Sequence, residues 1–228
     1  MNGHRLSLAA QTLIARPSGA LFLPAQDLLV VSDLHLGKAG RRARAGAVLL
    51  PPYETAETLH RLALEVAETG ASRVICLGDS FDDPGAASAL SAADAAALSA
   101  LQAGRDWLWL EGNHDRGQIG PGGQHVAALS LLGLNFRHIA SPAPVAAGSG
   151  EISGHFHPKA SLSLRGAHLS RPCFLYDGAR LIMPAFGTYT GGLSWTAPEF
   201  AKLLAPEALA ILTGQRTTVL RLPRRAKA

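Results

Sequence analysis

Cysteine is scarce: Cys76 and Cys173 are the only two in 228 residues. Two thiols far apart, neither in a C-x-x-C pair, build no disulfide framework and no thiolate metal site. Cys76 lies within the apolar run Arg73-Val-Ile-Cys-Leu77 and reads as a small buried residue. Long hydrophobic runs are missing as well. No stretch reaches the roughly 18 consecutive apolar residues of a membrane-spanning helix. The apolar stretch near the start, Leu6 to Arg16, is interrupted by Gln11 and Thr12 and leads into more strand-like sequence. It is therefore expected to belong to the fold rather than to a signal peptide. These absences predict a cytoplasmic protein without a membrane segment. Charge is thin, at 17% of residues, and slightly positive in balance, at +4. That balance is compatible with an anionic substrate without demanding one.

What is present is a large apolar fraction, 47%, enough for a substantial core. No composition break or internal repeat divides the chain, so residues 1–228 are expected to form one domain. Leu28-Leu-Val-Val-Ser-Asp33 reads as a strand ending in Asp33-Leu-His35. Residues i and i+2 of a strand share a face, so an acid and an imidazole would project together from its C-terminal end. A basic stretch, Gly37 to Gly46, reads as a flexible loop, and a helix is expected to run to about Thr69. A second strand, Arg73–Leu77, ends in Gly78-Asp79. An alanine-rich helix follows, with Ser91 and Asp94 as a capping pair. A third strand, Trp107–Leu110, ends in Glu111-Gly-Asn113-His114-Asp115. This β-α-β-α-β rhythm predicts a parallel sheet covered by helices.

The second half reads differently. A short helix is expected over Gln124–Leu132, and the rest as strands. These are Leu134–Ile139, Glu151–Ser153, Ser161–Leu164, Cys173–Tyr176 and Arg180–Met183, with Asp177-Gly178 as a hairpin turn. Glu151–Ser153 runs into Gly154-His155-Phe-His157. Arg221–Ala228 reads as a frayed basic tail.

Four strand ends thus carry, in order, Asp33-x-His35, Gly78-Asp79, Gly112-Asn113-His114-Asp115 and Gly154-His155-x-His157. Carboxylates, an amide oxygen and imidazoles are ligands for divalent cations of the Mn, Fe or Zn type. Any one of these motifs is weak; four in this order, each after an apolar strand, are not.

The set resembles the signature of the calcineurin-like metallophosphoesterase superfamily, over about residues 28–190. That resemblance implies a four-layer α/β/β/α sandwich of two mixed sheets, with two metal ions at the strand ends. It implies one ion held by Asp33, His35 and His157, a second by Asn113, His155 and a further histidine, and Asp79 bridging both. The further histidine is either His125 or His138. His125 falls in the expected helix, whereas His138 closes an apolar strand before Gly154, which favours His138. The resemblance also implies in-line attack by a water bridging the two ions. His114 would serve as the acid for the leaving oxygen or as a charge stabiliser, with Asp115 orienting its ring by a hydrogen bond. Lys38, Arg41, Arg42 and Arg44 directly follow the first motif and are candidates for holding neighbouring phosphates; a solvated loop is the alternative. Asp82 and Asp83, just past Gly78-Asp79, could support the metal ligands, but loop solvation is the favoured reading.

Ser32-Asp-Leu-His-Leu-Gly-Lys38, Gly154-His-Phe-His-Pro158 and Leu181-Ile-Met-Pro-Ala-Phe-Gly-Thr-Tyr-Thr-Gly-Gly192 are similar to one bacterial subfamily. This is the ligase-associated DNA-damage-response endonuclease family (PdeM). It implies a Mn2+-dependent phosphodiesterase acting on single-stranded or distorted DNA, functionally associated with a DNA ligase, a helicase and an exonuclease. Two other readings share the same residues: a hydrolase of a small nucleotide or nucleotide-sugar, and a non-catalytic scaffold on the same fold.

Overall fold

The computed structural model describes residues 2–47, 50–117, 120–164 and 166–223. Two sheets face one another, and period-two alternation along each strand decides which layer a side chain enters. The first sheet has seven strands in sequence order: β1 (His4–Leu8), β2 (Gln11–Ala15), β3 (Leu21–Leu23), β4 (Leu28–Val31), β5 (Arg73–Leu77), β6 (Asp106–Leu110) and β7 (Gln124–Val126). β1 to β4 form an antiparallel meander, and β4 to β7 run parallel. The helices α1 (Lys38–Arg44), α2 (Glu54–Thr69) and α3 (Ala92–Gln102) lie in the connections between the parallel strands.

The second sheet contains β8 (Leu129–Leu131), β9 (Leu134–Phe136), β10 (Gly150–Ser153), β11 (Lys159–Leu164), β12 (Ala167–Tyr176), β13 (Arg180–Ile182), β14 (Leu209–Leu212) and β15 (Thr218–Arg221). Its strand order is β15-β14-β12-β13-β10-β9-β8, with β11 pairing to β12. β10 is parallel to both β9 and β13, so this sheet too is mixed. The short helix α4 (Pro198–Leu203) packs on its outer face through Phe200.

Three apolar cores separate four layers, as the resemblance implied. Leu29, Val31, Val74, Cys76, Trp107 and Trp109 point to α2 and α3. Their strand neighbours Leu28, Val30, Ile75, Leu77 and Leu110 point instead at Phe136, Ile152, Phe174, Leu181 and Ile211 of the second sheet. Cys173, Leu175, Ile182, Ala210 and Leu212 face outward onto Trp195 and Phe200. Both cysteines are buried thiols.

Several local expectations are corrected. The stretch Leu6–Ala15, which reads from the sequence as a single short strand, is a hairpin turned at Ala9 and Ala10, both with positive φ. The helix expected over Gln124–Leu132 is instead the strands β7 and β8. Gly122 and Gly123 bring the chain alongside the open edge of β6, and Leu129 and Leu131 alternate with exposed Ser130 onto the inter-sheet core. The basic loop after Gly37 is helical, because Thr55 Oγ1 accepts from the Gly37 amide and Glu54 Oε1 from the Ala39 amide, satisfying the helix start. Arg221 ends β15 rather than opening a tail, and residues 224–228 of that tail lie outside the described residues.

Candidate metal centre

The parallel strands end together, so the residues that follow them converge on one crevice. Five of the motif residues hold left-handed backbone there: Asp33, His35, Asp79, His155 and His157, with φ of 55°, 48°, 46°, 69° and 46°. Such conformations are costly for residues with a Cβ and concentrate at functional sites. Each turns a side chain inward that a regular strand would have sent elsewhere. The motif glycines make room for those side chains. A Cβ on Gly112 would lie 2.1 Å from Asp79 Oδ1, and one on Gly154 would lie 1.8 Å from Ser32 Oγ.

Besides a group formed by His35, Asp82 and His114, two groups of donors that draw on both sheets result among the described residues. In the first, Asp33, His35 and His157 bring one ligand atom each to within 4.8 Å of one another. Asp33 is completely buried. Ser32 Oγ donates to its Oδ2 at 2.6 Å, and the His155 amide donates to the same oxygen at 3.0 Å. His35 Nδ1 lies 2.9 Å from Asp82 Oδ1, and a carboxylate there places the proton on Nδ1. His35 Nε2 is then left as a lone pair that is buried without a hydrogen-bond partner. His157 Nε2 is likewise buried without one, although it sits 3.1 Å from Asp33 Oδ1. Two unsatisfied imidazole nitrogens converging on a carboxylate fit a cation site.

The second group is Asp79, His138 and His155. His138 Nδ1 is 3.0 Å from the Leu77 carbonyl, which can only accept, so this nitrogen carries hydrogen. Its Nε2 then lies 3.2 Å from Asp79 Oδ2, 3.1 Å from Asn113 Oδ1 and 3.3 Å from His155 Nδ1. Three of the motifs thus bring one nitrogen or oxygen atom each to His138 Nε2. The structure brings His138 into this cluster and leaves His125 on β7, paired in register with Trp109.

The electrostatics follow from this crowding. Burial disfavours ionisation of Asp33, but the imidazoles of His157 and His138 and the Ser32 hydroxyl outweigh it and hold the carboxyl below its ordinary value. Asp79 is held below its ordinary value too: its burial is overcome by the His138 imidazole and the His114 amide. Burial alone would lower His138, yet Asp79 and Asp33 lift its imidazole to about 9 without a metal ion. His155 is pushed down by burial and by the charge on His138.

His114 stands half-exposed at the mouth. Its amide donates to Asp79 Oδ1 at 2.9 Å, and its Nδ1 lies 3.1 Å from the Asp82 carbonyl. That carbonyl fixes the hydrogen on Nδ1 and turns Nε2 toward the site, 4.0 Å from Asp79 Oδ2.

Asp115 does not touch this ring, contrary to expectation. Its carboxylate accepts from the amides of Gly112, Asp79, Ser80 and Phe81 and so ties the Asp79 turn to the turn after β6. Burial and the nearby Asp79 charge push it up to about 6 against the pull of those amides. The ring is oriented by the Asp82 backbone instead.

Asp82 itself is no solvated loop residue. It is buried between His35 and Arg41; burial is outweighed by these partners, and its carboxyl falls to about 2. Arg44 pairs with Asp83 at 2.7 Å. Arg41 and Arg44 are thus committed to carboxylates, and Lys38, half-buried in the first turn of α1, is shifted down chiefly by desolvation. Arg42 also lies on α1. Two further cations, unremarked in the sequence, lie beside the ligands. Arg116 and Arg137 line a 400 Å3 cleft together with Asn113 and His138, and Arg137 also pairs with Glu151 at 3.4 Å. Arg116 follows the third motif directly, which is the one sequence signal that could have marked it.

The segment after β13 buttresses the site from behind. The Phe186 amide donates to the Ser32 carbonyl at 2.8 Å and the Gly187 amide to the Asp33 carbonyl at 3.1 Å. Among the described residues, no helix is long and apolar enough to cross a membrane.

No protein-family model and no curated protein matches the chain. Among solved structures it is similar to the Pseudomonas putida nuclease MPE, with 26% identity and a TM-score of 0.72. The match covers 96% of this chain and 100% of that one, so the likeness takes in both sheets. The chain has the α/β sandwich of a metallophosphoesterase-like nuclease.

Proposed function

We propose that the chain is a phosphodiesterase that uses two divalent metal ions, Mn2+ foremost, to cut single-stranded or distorted DNA internally, with a role in DNA repair. The observation that carries this reading is the pair of donor clusters, Asp33-His35-His157 and Asp79-His138-His155, with His35 Nε2 and His157 Nε2 left unpartnered. The likeness to a nuclease across the whole fold supports it.

Asp33, His35 and His157 would hold one ion, and Asn113, His138 and His155 the other, with Asp79 between them. All are nitrogen and oxygen donors, suited to Mn, Fe or Zn. Bound ions of this kind polarise a phosphoryl group and lower the pKa of a water. The protein's own part is positional. Asp82 and the Leu77 carbonyl hold His35 and His138 with their Nε2 atoms inward. His114 presents Nε2 at the mouth; as imidazolium it donates that proton to the leaving oxygen or to charge developing on the phosphoryl group. Arg116 and Arg137 supply positive charge beside Asn113 and His138, where the phosphates flanking the scissile one would lie.

Purified protein with Mn2+, offered a bis-aryl phosphodiester and an end-labelled single-stranded DNA, tests the reading. Internal DNA cuts and diester hydrolysis are expected, both lost in Asp79→Asn and reduced about 100-fold or more in His114→Ala. Hydrolysis of neither substrate would overturn it. Diester hydrolysis without DNA cleavage would move the substrate to a small nucleotide.

A further inference from the structure

A groove of about 1110 Å3 lies behind the metal centre, between α2 and the segment after β13. Two of its walls carry exposed tyrosines. Tyr53 is 68% exposed and Tyr189 55% exposed, and among the described residues no other tyrosine, tryptophan or phenylalanine is exposed. The third tyrosine of the chain, Tyr176, donates its hydroxyl to the Ser7 carbonyl. Neither groove tyrosine pairs with another described residue.

Their placement is fixed by the backbone behind them. Thr188, next to Tyr189, donates its hydroxyl to the carbonyl of Glu54, next to Tyr53, at 2.9 Å. The Thr188 amide donates to Thr58 Oγ1 at 3.1 Å, one turn further along α2. The backbone beside Tyr189 is therefore tied to the backbone beside Tyr53, and Tyr189 has a φ of 54°. Cations line the same groove. Lys159 donates to the Thr190 carbonyl at 2.8 Å, Arg61 donates to the carbonyls of Phe186 and Ser18, and Glu57 is the sole acid in the lining. The groove shares backbone with the metal centre: Gly187 lines it and donates its amide to the Asp33 carbonyl, and Lys159 lies two residues beyond His157.

We infer that this groove binds single-stranded nucleic acid outside the cutting site, with bases stacked on Tyr53 and Tyr189 and the backbone tracked by Lys159 and Arg61. The inference rests on the phosphodiesterase reading for its substrate class and extends it to a strand-anchoring site. Exposed aromatic faces beside cations suit unpaired bases, whatever their sequence, because every base offers a π-face. A duplex keeps those faces covered, so the groove selects the unpaired strand.

The test is binding of a fluorescently labelled oligo(dT) in EDTA, so that the strand stays intact, followed by anisotropy. Tyr53→Ala and Tyr189→Ala are each expected to weaken binding roughly 5- to 100-fold. Tyr53→Phe and Tyr189→Phe keep the ring and should bind within about twofold of wild type. Duplex of the same length should bind more weakly and respond to neither alanine change. Both tyrosines are exposed, so thermal unfolding should move little, which separates lost stacking from lost folding. Wild-type-like binding by both alanine variants, or phenylalanine variants as weak as alanine, would overturn the inference, as would no binding by the wild type. The two readings fail separately. A wild type that binds oligo(dT) through the tyrosines yet hydrolyses no phosphodiester removes the catalytic reading and leaves the groove. One that hydrolyses both substrates while the alanine variants bind normally does the reverse.

Discussion

At the scale of single residues, the site is a set of imidazoles whose outer nitrogens are fixed so that their inner ones can bind. His138 shows what this costs without a metal. Its pKa is lifted from 6.5 to about 9, so its charge with Asp79 and Asp33 stabilises the metal-free fold fully below about 6.5. That contribution is lost as pH rises through about 9. A bound ion needs the neutral ring, so the sign reverses for metal affinity. Apparent Mn2+ affinity should climb by up to about tenfold per pH unit between neutrality and pH 9, with proton release visible as a buffer-dependent heat. Flat affinity over that range would remove His138 from the ligands. Asp82→Asn, which weakens the hold on His35 Nδ1, should lower affinity about 10- to 100-fold while the fold persists by circular dichroism. Gly154→Ala would drive a Cβ to 1.8 Å from Ser32 Oγ and 2.5 Å from Asp33 Oδ2. A loss of about 1–3 kcal/mol in urea unfolding is expected. The motif residues were legible in the sequence because ligand chemistry restricts residue type. Asp82 could be weighed as a support for a ligand but not assigned, and Arg116 had only its place after the third motif, since a carboxylate in a loop and a lone arginine carry no pattern until the fold places them.

At the scale of elements, strands with strict alternation were easy to read. Leu28–Val31, Arg73–Leu77 and Asp106–Leu110 each send alternate side chains to two different cores, giving continuous apolar runs. The capping pair was also readable: Ser91 Oγ accepts from the Asp94 amide at 3.1 Å and donates to its carboxylate at 2.7 Å. Ser91→Ala should cost about 1 kcal/mol in stability, measured by thermal or denaturant unfolding. Misread elements are those whose conformation is set from outside. Gln124–Leu132 becomes strand because β6 offers an unpaired edge, and Lys38–Arg44 becomes helix because Glu54 and Thr55 receive its first amides. α4 and the positions of β14 and β15 were not anticipated. β14 is fixed by pairing with β12, β15 by pairing with β14 and α4 by burial of Phe200, information that local sequence does not hold.

At the scale of the whole molecule, two mixed sheets share one core, and their strand ends meet where Asp33 and Asp79 of the first sheet face His138, His155 and His157 of the second. Neither sheet alone assembles the Asp33-His35-His157 or the Asp79-His138-His155 cluster, so binding of an ion there would be linked to inter-sheet packing. Added Mn2+ should raise the unfolding temperature, and a chelator should reverse the gain, because an ion that binds only the folded state stabilises it by mass action. The four-layer architecture was reached from the resemblance rather than from periodicity, which shows strands and helices but not which sheet a strand joins.

The most direct measurement is a calorimetric titration of metal-free protein with Mn2+, run beside Asp33→Asn and Asp79→Asn. The donor clusters predict two ions per chain for the wild type and weakened or lost binding in both variants. No Mn2+ binding by the wild type, or equal binding by all three proteins, would contradict the account.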